Sequence, residues 1–140
     1  MSVYISVDLR KRVRKADRDR CAYCLTVETI SGISLSFDHI HPLSKGGKTD
    51  FENLCLSCRS CNEFKVDITE AQDTLTGEVV NLFNPRTQQW REHFNWSANG
   101  TIIEGKTAIG RATVIVLQMN HATIVAARRF WTAVGCHPPE

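Results

Sequence analysis

The chain has 140 residues, a length that suits one compact domain, with or without an appended lobe. Hydrophobic residues make up 42% of it, which argues against an intrinsically disordered protein. The apolar run Val114–Leu117 is far too short to cross a membrane. The first residues lack the apolar core of a secretory signal peptide, so we expect a cytoplasmic protein with no membrane partner.

The formal net charge of +2 hides an uneven distribution along the chain. Residues 1–20 contain seven basic and three acidic side chains, a local charge of +4, while the remaining 120 residues sum to −2. Positive charge concentrated near one end is typical of proteins that bind a polyanion such as a nucleic-acid backbone. A solvated helix face explains the charge equally well, so composition alone leaves both interpretations open.

The first half of the chain contains signals for a helix, two strands and a long loop. Apolar residues at helical spacing predict a helix over residues 8–20, with Asp8 as its N-cap. Alternation of apolar residues with serines predicts a strand that ends just before Asp38. A proline and a Gly-Gly pair indicate a long ordered loop over residues 38–52, and loops of that length are usually functional. A second short strand is predicted over residues 53–56.

A helix over residues 60–67 would complete this part of the fold, and the character of the sequence changes after about residue 75. We therefore predict two regions, a core over residues 1–74 and an extension over residues 75–140 packed on it. Asn99-Gly100 is a strong hairpin signal, because both residues tolerate positive φ. The elements predicted in the extension are a strand, the two hairpin strands and two helices, at residues 78–83, 93–97, 101–105, 107–119 and 121–134.

Two Cys-x2-Cys pairs, Cys21/Cys24 and Cys58/Cys61, are separated by 33 residues. Each pair brings two sulfurs within reach of one ion, and two pairs complete a tetrahedron around Zn²⁺. Four thiolates leave no position for water, so the predicted zinc is structural. In a reducing compartment six cysteines indicate metal ligands before disulfides.

One ambiguity concerns Cys55, which also lies three residues before Cys58 and could replace a ligand. We favour the pair Cys58/Cys61, because Cys55 falls within the predicted strand whereas Cys61 can open the following helix. Cys136 is most simply a free thiol.

Between and after the cysteine pairs the chain carries a series of polar residues and glycines in a characteristic order. That order is Asp38-His39-Ile40-His41-Pro42, Gly46-Gly47, Asn53-Leu54, Cys58-x2-Cys61-Asn62 and Lys65. Over residues 21–65 it resembles the HNH endonuclease family, in its bacterial stand-alone form. The resemblance implies an α+β fold with a ββα-metal (HNH/His-Me finger) core, a structural zinc, and here a C-terminal β-hairpin and two helices.

The resemblance also implies a role for each polar residue. His39 is the expected general base, and a neutral imidazole near pH ~6.5 suits that task. Asp38 and Asn62 are the expected ligands of a catalytic divalent ion, and Asn53 is expected to hold the loop and orient the base. Since Asp38 and His39 are adjacent, both can serve one site only if the strand ends there. His41 is a competing candidate for the base.

The third letter of the motif is Asn62 rather than histidine, which affects the expected metal. A carboxylate and an amide oxygen form a hard site, which favours Mg²⁺ or Mn²⁺. Four basic residues are candidates for contacting phosphate, although each could equally be solvated: Lys45, Lys48, Arg59 and Lys65.

The leading hypothesis is thus a one-metal endonuclease that hydrolyses phosphodiester bonds in DNA with a histidine base. Its expected partner is nucleic acid, DNA first. One alternative keeps the fold and drops the chemistry, leaving a zinc-stabilised nucleic-acid-binding module. The other is an HNH nuclease acting on RNA, because attack at phosphorus does not distinguish the two sugars.

Overall fold

The structure, a computed structural model, describes residues 3–140 and contains two units. The first unit runs to Thr69 and also includes the segment Asn84–Thr87. The second comprises Glu70–Phe83 and Gln88–Glu140. The division therefore falls before residue 70 rather than at the predicted residue 74, because the strand that opens the second unit begins at Glu70. The α+β class is confirmed, with short sheets and helices in both units.

The first unit contains three helices and one antiparallel hairpin. The elements in chain order are α1 (Val7–Asp17), α2 (Glu28–Ser31), β1 (Ser36–His39), β2 (Leu54–Ser57) and α3 (Arg59–Lys65). Single 3-10 turns occupy Leu43–Lys45 and Phe51–Asn53 within the loop that joins the two strands. The predicted order of two strands followed by a helix is therefore present.

Helix α1 begins one residue earlier than predicted. Its N-cap is Ser6, whose hydroxyl accepts a hydrogen bond from the backbone N–H of Leu9 at 3.2 Å. Asp8 lies inside the first turn, where a carboxylate still stabilises the helix dipole, so the prediction of Asp8 as the cap was wrong. Val13 is fully buried and marks the inner face of the helix.

Strand β1 extends through Asp38 and His39, two residues further than predicted. In the antiparallel register Asp38 lies opposite Cys55, and His39 opposite Leu54. Successive side chains on a strand point to opposite faces, so His39 shares its face with Phe37 while Asp38 points to the other face. Asp38 is buried on that face.

A buried ion pair joins α1 to the segment Asn84–Thr87 within the first unit. Arg86 donates through both terminal nitrogens to the Asp17 carboxylate, at 2.8 and 2.9 Å. The side chains of both residues are less than a tenth exposed. Asp17 also accepts a hydrogen bond from the backbone N–H of Leu56 in β2 at 2.8 Å. One carboxylate thus joins α1, β2 and a segment distant in sequence.

The second unit contains two further hairpins and three helices: β3 (Glu70–Gln72), β4 (Val79–Asn81), α4 (Trp90–His93), β5 (Phe94–Trp96), β6 (Ile103–Gly105), α5 (Ala108–Val116) and α6 (Ala122–Ala133). The predicted hairpin is confirmed by the pairing of β5 with β6, with Gly100 at φ +74° in its turn. The two predicted C-terminal helices are confirmed as well. Strand β3 and helix α4 were not predicted. None of the helices in residues 3–140 combines the length and apolar character needed to span a membrane.

Asp73 organises the turn between β3 and β4. Its buried carboxylate accepts hydrogen bonds from the backbone N–H and hydroxyl of Thr76 and from the guanidinium of Arg111 on α5, at 2.8 and 3.0 Å. The Arg111 guanidinium in particular holds the pKa of Asp73 well below its usual range.

We expect the Asp73 carboxylate to make folding stability depend on acid. Its folded-state pKa is depressed, so its contribution is present above about pH 4 and is lost as the pH falls further. Asp73→Asn should lower stability at neutral pH and should flatten the loss of stability below about pH 4. Urea unfolding at a series of pH values measures both effects. Parallel pH curves for variant and wild type would contradict this assignment.

Arg86→Gln should destabilise the protein strongly, because it leaves the buried Asp17 carboxylate without its counter-charge. Breaking a buried pair costs about 3–5 kcal/mol. The matched control is Arg59→Gln, which removes an exposed pair between Arg59 and Glu63 and should cost about 1 kcal/mol or less. Urea titrations give the free energy of unfolding of each variant. Equal decreases in the two variants would show that the buried Asp17–Arg86 pair stabilises the protein no more than the exposed pair does.

Candidate functional site

Four cysteine sulfurs lie together in the first unit, those of Cys21, Cys24, Cys58 and Cys61. All lie within 4.8 Å of one another, and the Sγ atoms of Cys24 and Cys58 are 3.6 Å apart. A tetrahedral zinc with bonds of about 2.3 Å places its sulfurs about 3.8 Å apart, so the cluster can hold one zinc ion. Burial raises the pKa of the Cys21 thiol, so its thiolate form needs a cation to balance it.

Local backbone geometry sets up each half of this cluster. In the first half, the N–H of Cys24 donates to the Cys21 sulfur at 3.5 Å. In the second half, Cys58 is the N-cap of α3 and its sulfur accepts from the N–H of Cys61 at 3.4 Å. The start of α3 thus fixes the second pair, but the helix opens at Cys58, its N-cap, rather than at Cys61 as predicted, and Cys61 lies in the first turn.

Cys55 lies outside the cluster. Its Sγ is buried 4.0 Å from Oδ2 of Asp38, and burial raises the pKa of its thiol. The structure therefore favours the pair Cys58/Cys61 over the alternative pair Cys55/Cys58. Cys136 is a half-buried free thiol, as predicted.

Asp38 is held in a buried polar cluster beside the cysteines. Its Oδ2 accepts a hydrogen bond from the Tyr23 hydroxyl at 2.8 Å and lies 3.2 Å from the ammonium of Lys65. Burial raises the pKa of Tyr23, so the phenol stays protonated and donates. These contacts fall on one carboxylate oxygen, and a carboxylate can bind a cation through its other oxygen.

Lys65 has a different position from the one expected of a phosphate contact. Its side chain is only 2% exposed, and its ammonium contacts Asp38 and donates to the backbone carbonyl of His39 at 3.2 Å. A lysine buried against a carboxylate is not presented to a phosphate in solution. Lys65 instead positions Asp38 and the backbone of the adjacent histidine.

His39 is half-buried, and its Nε2 lies 2.9 Å from the hydroxyl of Thr49. Burial lowers the pKa of His39, with the nearby Asp38 charge acting in the opposite direction. The imidazole is therefore neutral at pH 7. When Nε2 carries the proton and donates to Thr49, the basic lone pair lies on Nδ1.

The side chain of Asn53 closes the loop that follows β1. Its Oδ1 accepts from the N–H of His41 at 2.8 Å, and its Nδ2 donates to the carbonyls of His41 and Lys48 at 3.0 and 2.7 Å. These three bonds are those of a residue that orders the loop. His41 is exposed, and its Nε2 is bound to the carbonyl of Lys45 at 2.9 Å.

The glycine pair in this loop serves the loop itself. Gly46 has φ +88° and ends the 3-10 turn, a conformation that favours glycine. At Gly47 a Cβ atom would collide with the backbone carbonyls of His41 and Pro42. The absence of a side chain at Gly47 is thus explained by close packing within the loop.

Asn62 lies on the first turn of α3 and is exposed. It precedes Lys65 by three residues, so the two side chains lie on the same face of the helix. Lys65 is buried against Asp38, whereas Asn62 is exposed one turn earlier on the same helix face.

The other three basic candidates are exposed. Lys45 and Lys48 lie in the loop closed by Asn53, and Arg59 forms an exposed ion pair with Glu63 at 3.0 Å. Tyr23 and Thr49 were not predicted as site residues. Tyr23 could have been suspected from the sequence, because it lies between the two cysteines of the first pair. Nothing in the sequence around Thr49 indicated that it would contact His39.

Within residues 3–140 the four cysteines are the only group of three or more His, Cys, Asp and Glu side chains positioned to hold a metal ion. A second ion would take one carboxylate and one amide oxygen from the protein, and water and phosphate would supply the rest. This donor set fits Mg²⁺ or Mn²⁺, which keep several waters in protein sites.

Zinc content provides a test of the cysteine assignment. Purified wild-type protein should contain one zinc per chain by elemental analysis, and Cys58→Ser should lose it and loosen the first unit. The matched control Cys55→Ser should keep the zinc, because Cys55 lies outside the cluster. Loss of zinc from Cys55→Ser, or a zinc-free wild type that stays fully folded, would contradict the assignment.

Comparison with known proteins agrees with this geometry. The family model described as HNH endonuclease matches residues 21–67, a range that contains both cysteine pairs, β1, β2 and α3. Comparisons with curated proteins and with solved structures gave no match. Residues 21–67 are therefore similar to an HNH endonuclease domain.

Proposed function

We propose that this domain is a metal-dependent endonuclease that hydrolyses phosphodiester bonds in DNA. The family supports a nuclease acting on nucleic acid. The choice of DNA, of a one-metal mechanism and of the individual catalytic residues is our proposal. One observation carries it: the buried Lys65 ammonium contacts the Asp38 carboxylate and the backbone carbonyl of His39, the residue at which β1 ends, as a site shared by the two residues requires.

Asp38 and Asn62 are the proposed protein ligands of the catalytic ion. The Lys65 ammonium and the Tyr23 hydroxyl both contact Oδ2 and fix the orientation of the carboxylate. A bound Mg²⁺ or Mn²⁺ supplies positive charge at the scissile phosphate and at the departing 3′ oxygen. Asn62 contributes a neutral oxygen ligand from an exposed position that a substrate can reach.

His39 is the proposed general base. Its neutral form accepts a proton from water at Nδ1 while the Thr49 hydroxyl holds Nε2. The resulting hydroxide attacks phosphorus, the bond between phosphorus and the 3′ oxygen breaks, and the departing oxygen takes a proton from water, which leaves a 5′-phosphate and a 3′-hydroxyl. Asn53 acts on the site through the loop, because its three hydrogen bonds fix the chain between His41 and Lys48.

The competing base His41 is less suited to this role. Its Nε2 donates a hydrogen bond to the Lys45 carbonyl, which ties the ring to its own loop. Lys65, in contrast, holds the backbone of His39 beside Asp38. Lys45 and Lys48 remain proposed phosphate contacts, because both are exposed on this loop. Arg59 is a weaker proposal, since Glu63 already neutralises it.

We expect plasmid DNA to be cut only in the presence of Mg²⁺ or Mn²⁺, and His39→Ala to slow cleavage by about 10²–10⁴-fold through loss of the base. The matched control His41→Ala should retain most activity. Gel assays on single- and double-stranded DNA and RNA, side by side and at equal zinc content, measure the rate and the preferred substrate.

Three outcomes would count against the proposal. A zinc-loaded wild type that binds DNA but never cuts it would identify a binding module. Equal rates for His39→Ala and wild type would remove His39 as the base. A preference for RNA over every DNA substrate would replace the proposed substrate.

A further inference from the structure

Helix α1 carries an exposed cationic surface that the proposed chemistry does not use. Five basic side chains on the helix or directly after it are exposed, and within residues 3–140 none of them forms an ion pair: Arg10, Lys11, Arg12, Lys15 and Arg18. We call these five residues the α1 basic surface.

The nearby acidic groups are mostly engaged elsewhere. Asp17 is buried against Arg86, and Asp19 pairs with Arg14 at 3.0 Å. Asp8 is the one exposed carboxylate left within α1 itself. The five cations of the α1 basic surface and Asp8 therefore present a net charge of +4 to solvent.

The geometry of the helix arranges this charge in a row. Lys11 and Lys15 are one turn apart on the face opposite the buried Val13, and Arg18 continues the row past the helix end. Lys11 and Arg18 are seven residues apart, about 10 Å along the helix axis, so the row can follow about three phosphates of a duplex strand spaced about 3.4 Å apart along its axis.

Two arginines on either side of this row are oriented by aromatic rings. The guanidinium of Arg10 lies 6.0 Å from the ring centre of Phe37, and that of Arg12 lies 4.6 Å from the ring centre of Phe51. Stacking restricts a guanidinium without neutralising it, so its hydrogen-bond donors remain available to an anion.

The same rings belong to the segments that carry the proposed catalytic residues. Phe37 shares a face of β1 with His39, and Phe51 begins the 3-10 turn that ends at Asn53. The α1 basic surface therefore lies beside the proposed catalytic centre within the first unit. A nucleic-acid strand bound there can extend towards His39.

We propose that the α1 basic surface binds the phosphate backbone of a nucleic-acid duplex and so holds the substrate of the nuclease. The proposal rests on the proposed function for its choice of substrate. The location of the binding surface is inferred from the cations of α1, which are exposed, form no ion pairs and in two cases stack on aromatic rings. Backbone contacts of this kind give affinity that depends on salt and is independent of base sequence.

The test measures binding separately from cleavage. A fluorescein-labelled 20-bp duplex is titrated with full-length protein in metal-depleted buffer without added Mg²⁺ or Mn²⁺, at several salt concentrations, and anisotropy is recorded. Lys11→Gln with Lys15→Gln should weaken binding by about ten- to hundredfold near 0.1 M salt. It should also reduce the slope of log K against log salt by about 2.

Two control variants make the result specific. Arg91→Gln with Arg129→Gln removes two exposed charges from the second unit and should leave the affinity within about twofold of wild type, because neither residue lies on α1. Lys11→Arg with Lys15→Arg keeps the charge and should retain wild-type binding. Circular dichroism and zinc content establish that all variants are folded.

The proposal would be overturned if the Lys11/Lys15 and Arg91/Arg129 glutamine variants lost equal affinity for the duplex. It would also be overturned if the Lys11/Lys15 variant kept the wild-type slope of log K against log salt. Binding of anionic lipid vesicles that depends on Lys11 and Lys15, with no binding of the duplex, would overturn it in favour of a membrane surface. A protein that cuts DNA with α1 variants of normal affinity refutes this inference alone. A protein that never cuts but binds through α1 refutes the proposed function alone.

Discussion

The first unit depends on the meeting of four thiols from two distant stretches of chain. Two strands of four residues each cannot form an independently stable sheet in water. The cysteine cluster joins the turn that follows α1 to the start of α3, across 33 intervening residues that include the whole hairpin. Zinc binding at this point offsets the conformational entropy of ordering that hairpin and its loop. The positions of Asp38 and His39 follow from this constraint.

The second constraint is the buried charge pair formed by Asp38 and Lys65. Burying both charges costs desolvation energy that their attraction only partly returns, so such a pair is weak evidence for a role in stability. It does give the carboxylate one orientation, which the Tyr23 hydroxyl reinforces on the same oxygen. A fixed orientation suits the role that we propose for Asp38 as a metal ligand, because such a ligand must be in place before the substrate arrives.

Features set by local spacing could be predicted from the sequence, and features set by tertiary contacts could not. The cysteine pairs, the hairpin at Asn99-Gly100 and the two C-terminal helices each have a short-range cause, and all three were identified. The burial of Lys65 depends on contacts with β1, 26 residues away in the sequence, and no local pattern reveals it. Thr49 is similar, since a threonine in a loop carries no sign that it will meet an imidazole. The Gly-Gly pair was identified as part of the motif, but the requirement for glycine at position 47 comes from close packing within the folded loop.

The bidentate contact between Arg86 and Asp17 has a consequence for defining the smallest autonomous nuclease fragment. Arg86 lies beyond the second hairpin in the sequence, yet it contacts α1 and also the ring of Phe51 at 4.8 Å in the same unit. Truncation after the last matched family residue would remove this guanidinium. The truncated fragment would then contain an uncompensated carboxylate beneath β2 and a less supported turn next to Asn53. The autonomous unit is therefore discontinuous in sequence, and excision of residues 21–67 would yield less than a complete domain.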